Sequence, residues 1–271
     1  GALAEATLHY FHPIPAMLAA PAASAADAME RLSEIAAGAI AVEDKYDGIR
    51  VQLHVADGQV ALYGRDANDI TVAFPEIAAA AAQLSESLVL DGEIVAFEEG
   101  YPLPVSAVQS RLSGAETTLH ERERTAVQFI AFDLIAHGDQ LLIGAPLQER
   151  YAALSAIGIT ERCDGVIRVA PQHVVDGIEE IEAEFIAARM RGSEGIVLKS
   201  TTAAYAPGRR GSAWLKLKHP IDSVDCVVVG VEYGVGRRRT LLSELTFAVR
   251  DDLSGRLTTL GRASAQLGER E

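Results

Sequence analysis

Apolar runs rich in β-branched residues follow one another through turns too short to hold a helix, and this most restricts the folds open to the chain. Ile40 to Lys45, Ile49 to Ala56 and Val60 to Gly64 come in immediate succession, the last two meeting at Asp57-Gly58, a strong hairpin signal. Leu88 to Phe97 and Thr125 to Ala136 read as long strands, and Gly195 to Ser200 and Ala213 to Lys218 as shorter ones. Helices are expected from Ser24, as N-cap, to a stop at Gly38, from Pro75 to about Gln83, over Pro146 to Ala156 and over Gly177 to Arg191. Strands outnumber helices and mostly pair with their neighbours in sequence, which predicts an α+β domain on antiparallel sheet.

The pattern changes after His219. Val224 to Val231, Leu242 to Arg250 and Arg256 to Leu260 read as strands with turns between them. They look like the start of a small β-barrel, and 52 residues are too few to close one. Residues 1–20, with Pro13 and Pro15, read as an entry linker. The expected divisions are therefore 1–20, 21–219 and 220–271.

No stretch approaches the roughly 20 apolar residues of a membrane span, and no secretory leader is visible. Cys163 and Cys226 are too few for a disulfide scaffold, so a cytoplasmic protein is expected. The seven histidines show no metal-ligand spacing. A net charge of −14 argues against a nucleic-acid partner only as an average. Residues 1–199 carry −17 and residues 200–271 carry +3. Among 24 basic residues only four are lysines: Lys45, Lys199, Lys216 and Lys218. In a chain this rich in arginine, four retained lysines mark four places where a primary amine matters.

Three segments carry chemistry. In Glu43-Asp44-Lys45-Tyr46-Asp47-Gly48, Lys45 ends an apolar strand at a tight turn. Alone it reads as a solvated turn lysine; the sharper reading is a nucleophile, its amine made available by neighbouring cations. Asp91-Gly92-Glu93 places two carboxylates on one strand face, a cost unless a cation or a ligand hydroxyl answers them. Trp214-Leu215-Lys216-Leu217-Lys218 alternates, with the leucines toward a core and two amines side by side opposite, where phosphate is the natural partner. In Glu194-Gly195-Ile196-Val197-Leu198-Lys199, alternation would put the two ionisable ends on opposite faces, so Glu194 is expected at the preceding turn.

In this order, K-Y-D-G-I-R, D-G-E-I-V, F-D-L-I, E-G-I-V-L-K and W-L-K-L-K resemble the nucleotidyltransferase motifs of ATP-dependent DNA ligases, over residues 43 to 218. The resemblance implies an ATP-grasp-like adenylation domain followed by part of an oligonucleotide-binding (OB) barrel, excerpted from a longer monomeric enzyme. It implies that Lys45 takes AMP from ATP as a phosphoramidate, passes it to the 5′-phosphate of nicked duplex DNA, and so permits sealing. Glu43 matches the residue that reads the adenine amino group and Phe132 the aromatic stacked on the ring. Without the motif, Phe132 reads as a core residue. Arg50, Arg65 and Glu93 match groups around ribose and phosphates, although Tyr63-Gly64-Arg65-Asp66 departs from the usual Ser-Arg-Asn. Glu93 and Glu194 match carboxylates near Mg²⁺ or another divalent metal; Arg210, Lys216 and Lys218 match cations facing the phosphates. Arg237, Arg238 and Arg239 are expected to contact DNA. The alternatives are an RNA ligase or capping guanylyltransferase of the same superfamily, and an idle nick-binding module.

Overall fold

The computed structural model describes residues 9–35, 39–112, 126–218, 225–233, 242–250 and 255–264. The chain divides into a unit of residues 1–219 and a unit of residues 220–271. The first begins with β1 (Leu18–Pro21), α1 (Ala25–Ile35), β2 (Ile40–Lys45), β3 (Ile49–Ala56) and β4 (Gln59–Gly64). It continues with α2 (Pro75–Ala81), β5 (Leu88–Glu98), β6 (Tyr101–Pro102), α3 (Ser106–Leu112), β7 (Ala126–His137) and β8 (Gln140–Leu141). Then come α4 (Leu147–Ala156), α5 (Ile159–Arg162), β9 (Ile167–Val169), β10 (His173–Val175), α6 (Ile178–Met190), β11 (Gly195–Ser200) and β12 (Arg210–Lys218).

These strands form two sheets, one ordered β1-β12-β11-β2-β10 and the other β4-β3-β5-β7-β8, with β6 on β5 and β9 on β7. The architecture is α+β as expected. Among the described residues two pairings are parallel, β1 with β12 and β7 with β9, within sheets otherwise antiparallel as predicted. Each joins strands far apart in sequence, which no hairpin signal announces.

Period-two alternation divides the work of each sheet. On the first, Val42, Ile196, Leu198, Leu215 and Leu217 pack with Leu32 of α1 and Ile181 of α6. On the second, Val51, Leu53, Leu90 and Phe129 pack with Ile77 of α2 and Leu154 of α4. At roughly 1.5–3 kcal/mol per fully buried aliphatic or Phe side chain, these faces fix the register, and a one-residue slip would expose them all. The opposite faces meet only partly, through Met17, Val89, Ile135, Tyr205 and Trp214. Helix α1 starts as its sequence predicts: the Asp27 amide donates to Ser24 Oγ (3.1 Å), and Asp27 Oδ2 accepts from the Ala23 amide (2.8 Å). The predicted stop at Gly38 lies outside the described residues.

Residues 10–21, within the predicted linker and just past it, are integrated into the first unit. Tyr10 Oη donates to the Gly138 carbonyl (2.6 Å), the Ile14 amide to Gln52 Oε1 (3.0 Å) and the Met17 amide to Tyr205 Oη (3.0 Å). The Phe11 amide donates to Nδ1 of buried His54 (3.0 Å), so His54 Nε2 carries the proton shared with Gln52 Oε1 (2.9 Å). The neutral ring is fully satisfied, and burial, helped by His12, pushes its pKa down to about 4. The folded state therefore binds this proton less readily than the unfolded chain, whose histidine titrates near 6.5. Stability is whole above that pH and is lost as pH falls toward 4, by about 3 kcal/mol. Urea denaturation across pH 8 to 4 should show the wild type losing that much more than His54→Gln; parallel profiles would refute the linkage.

The second unit is an antiparallel sheet of β13 (Val227–Tyr233), β14 (Leu242–Arg250) and β15 (Leu257–Ser264) in that order. Arg262 bridges Glu232 (2.8 Å) and Glu244 (3.4 Å) across it. Arg237, Arg238 and Arg239 lie outside the described residues.

Candidate active site

Cross-strand partners share a face, and on the first sheet three successive rungs read Lys45–Gly195–Lys218, Glu43–Val197–Lys216 and Ala41–Lys199–Trp214. Across from them on the second sheet stand Arg50 of β3, paired in register with Glu93 of β5, and Phe132 of β7. All of these except Ala41, Gly195 and Lys218 line a cleft of about 260 Å³, with Ala16 and Leu18 contributing to its wall. A larger cleft of about 520 Å³ shares Glu43, Asp44 and Tyr46 with it but contains neither Lys45 nor Phe132.

Two glycines set the position of Lys45. A Cβ on Gly195 would lie 2.2 Å from the Leu217 carbonyl oxygen, and its φ is +152°, so only glycine fits on the rung between the two lysines. A Cβ on Gly48 would lie 2.3 Å from the Ile94 carbonyl oxygen, so glycine lets the turn after Lys45 close onto β5. Glu194 sits just before β11, as its sequence predicts, and its amide donates to the Lys45 carbonyl (2.9 Å). Its Oε2 lies 2.9 Å from Lys45 Nζ and also pairs with Lys218. Burial works to raise the Glu194 pKa, but hydrogen bonds from Lys218 and Lys45 outweigh it and bring it to about 2. Lys216 is lowered by burial and then by Lys218, Arg210 and Lys45.

The Asp91 carboxylate is answered by Arg50 in a bidentate pair, Nε to Oδ1 at 2.9 Å and Nη2 to Oδ2 at 2.6 Å. Tyr205 Oη also donates to Asp91 Oδ2 (2.6 Å). The Arg50 guanidinium is thereby held 5.2 Å from the centre of the Phe132 ring. Glu93 is pushed up to about 7 by burial, against the pull of Lys45 and Arg50. Deeper in, Glu43 and Lys199 form a buried pair at 2.7 Å, and Gln172 Nε2 donates to the other Glu43 oxygen at 2.8 Å. Lys199 Nζ also lies 4.2 Å from the Trp214 ring centre and 4.7 Å from that of Phe132. An aromatic ring facing the cleft, an aliphatic wall at Val197, an inner carboxylate and cations above them suit a planar base carrying phosphates.

The profile of the ATP-dependent DNA ligase domain family matches residues 16–218, the span that builds this cleft. The chain belongs to that family. A probable DNA ligase of Koribacter versatilis is 38% identical over 290 aligned residues, covering 99% of this chain and 49% of that protein. A DNA ligase of Haloarcula marismortui is 37% identical over 252, covering 92% and 44%. The chain thus spans about half the length of these relatives. Among solved structures, the ligase domain of LigD from M. tuberculosis has a TM-score of 0.62 at 27% identity, covering 97% of this chain and 76% of that one. The fold is accordingly that of ligase adenylation and OB domains.

Of the ligase-motif residues singled out in the sequence, Glu43, Lys45, Arg50, Arg65, Glu93, Phe132, Arg210 and Lys216 line the cleft. Glu194 joins them through Lys45, and Lys218 through Glu194. Arg65 and Arg210 are exposed. Lys199, one of the four lysines and the end of E-G-I-V-L-K, had no partner assigned and turns out to neutralise Glu43. Two participants were not foreseen. Tyr205 and Gln172 lie outside all five motifs, and only the tertiary fold brings them in.

Proposed function

We propose that residues 21–219 act as an adenylation domain and residues 220–271 as part of an OB barrel in an ATP-dependent DNA ligase acting as a cytoplasmic monomer on nicked duplex DNA. The observation that carries the reading is the position of Lys45, its amine in one cleft with Phe132, Arg50 and Lys216. The Nζ lone pair forms a bond to the α-phosphorus of ATP while the bond to the bridging oxygen breaks and pyrophosphate departs. The amine gives up a proton and is left as a phosphoramidate. A 5′-phosphate oxygen of the nick then takes the adenylyl group, restoring Lys45. Attack of the 3′-hydroxyl on the activated 5′-phosphorus expels AMP and closes the backbone.

Each group has a part in this scheme. Phe132 and Val197 hold the base, with Glu43 accepting from its amino group. Arg50, Arg65, Arg210 and Lys216 neutralise the phosphates, and Lys218 with Glu194 orients the Lys45 amine. Among the described residues no cluster of three or more His, Cys, Asp or Glu forms a metal cage. Two carboxylates plus substrate phosphates nonetheless suit Mg²⁺, which keeps few protein ligands. Glu93 and Glu194 would hold it, and it would neutralise phosphate charge.

Labelling with ATP and with GTP in Mg²⁺, then offering nicked DNA and nicked RNA, tests the reading. An acid-labile AMP adduct and sealing of DNA are expected. A GMP adduct would favour a capping enzyme, sealing confined to RNA an RNA ligase, and no adduct in the longer parent enzyme an idle nick-binding module.

A further inference from the structure

We infer that Gln172 determines the choice of adenine over guanine, by pinning the Glu43 carboxylate as an acceptor toward the base. The inference rests on the reading of the cleft as an ATP site and goes beyond it, since Gln172 lies outside every ligase motif.

The placement of Gln172 follows from topology. β9 pairs with β7 in the second sheet and β10 pairs with β2 in the first, so residues 170–172 carry the chain from one sheet to the other. Ala170 is fastened on the departing side, its amide donating to the Ala131 carbonyl (2.7 Å) and its carbonyl accepting from Tyr151 Oη (3.0 Å). His173 is already in register with Val42, next to Glu43. Gln172 is thus held from both sides, and its carboxamide reaches Glu43 Oε1 at 2.8 Å.

Lys199 alone would not fix that carboxylate. Its ammonium holds Oε2 at 2.7 Å and is itself trapped between Phe132 and Trp214, so it anchors one oxygen and leaves the group free to turn about that contact. Gln172 supplies the second anchor. A carboxylate with both oxygens held still has lone pairs to offer, because each oxygen accepts two hydrogen bonds. It can receive the 6-amino group of adenine. Guanine presents a carbonyl oxygen at that position, and acceptor would face acceptor. Without Gln172 the carboxylate can rotate. It can also take up a proton, which burial already favours, and a protonated Glu43 could donate to that guanine oxygen.

Calorimetric titration of the 271-residue chain with ATP, GTP and the triphosphate of purine riboside, which lacks the 6-amino group, tests the idea. The wild type should prefer ATP to both. Gln172→Leu should reduce each preference by about tenfold, the loss of one charge-assisted hydrogen bond's discrimination. Gln172→Glu, which brings a shared proton to the pair, should reduce the preference over GTP further. Unchanged preferences in variants that melt cooperatively would overturn the inference while leaving the ATP reading intact. Loss of the folded state in both variants would assign Gln172 to the fold instead. A wild-type chain that binds no nucleotide would defeat the ATP reading first.

Discussion

Lys45→Ala is expected to abolish the AMP adduct while shifting the melting temperature by no more than a few degrees. The side chain is about one-fifth exposed and its ion pair is shared: with Lys45 gone, Glu194 keeps Lys218 as its counter-ion, so no buried charge is stranded. Partly exposed ion pairs of this kind contribute at most about 1 kcal/mol. The chemical loss, by contrast, is total, because the adduct is a bond to Nζ and no other described lysine lies on the Lys45 rung except Lys218, which pairs beyond Gly195. Lys45→Arg should fail equally: its guanidinium remains protonated at any pH the fold tolerates and has no lone pair to give. Intact-mass measurement after exposure to ATP and Mg²⁺ decides it. A variant that still gains AMP would remove Lys45 as the attachment point.

The sequence was most legible where structure is local. Ile40–Lys45, Ile49–Ala56, Gly195–Ser200 and Leu242–Arg250 have the bounds their sequence predicts, because each is a β-forming run set off by turn residues. What escaped is short and paired at long range. β1 finds its partner in β12 and β9 in β7, and the strap before β1 is held by residues from Gln52 to Gly208. Pro13 and Pro15 mark a segment outside helix and strand, but nothing local says what such a segment will lie against.

The same division holds in the cleft. Strict alternation in Trp214–Lys218 was enough to place Lys216 and Lys218 on one face, and β11 between them and β2 brings that face into line with Glu43 and Lys45. The carboxylate pair on β5 was rightly read as needing an answer, yet its two members are answered differently. Asp91 meets Arg50 and Tyr205, whereas Glu93 is raised toward neutrality by burial. The resemblance to ligases assigned Glu43 to the base. That both its oxygens are already engaged, by Lys199 and Gln172, depends on residues 129 positions and more from it and could not be read from the motif.

Arg150→Ala is expected to cost about 3–5 kcal/mol, the range for breaking a buried ion pair by removing one partner. Arg150 and Asp133 are both fully buried, with Nε to Oδ1 at 2.7 Å and Nη2 to Oδ2 at 2.8 Å, and Arg150 Nη1 also donates to the carbonyls of Ala145 (2.5 Å) and Ala203 (3.1 Å). Truncation therefore leaves a buried carboxylate with only the Leu134 amide (2.9 Å) as donor and takes a donor from the carbonyls of Ala145 and Ala203, the latter keeping the Leu147 amide (3.0 Å). Against a total stability of roughly 5–15 kcal/mol, that is a drop in melting temperature on the order of 10 °C. Because Asp133 follows Phe132 directly, relaxation of the pair should also weaken nucleotide binding. The double variant Arg150→Met with Asp133→Leu removes both charges together and should regain part of the stability, though the Ala145 carbonyl still loses its Arg150 donor. Urea denaturation of the three proteins measures this. A single variant within about 1 kcal/mol of wild type would mean that water reaches Asp133 once Arg150 is cut back, and that Phe132 is held by packing alone.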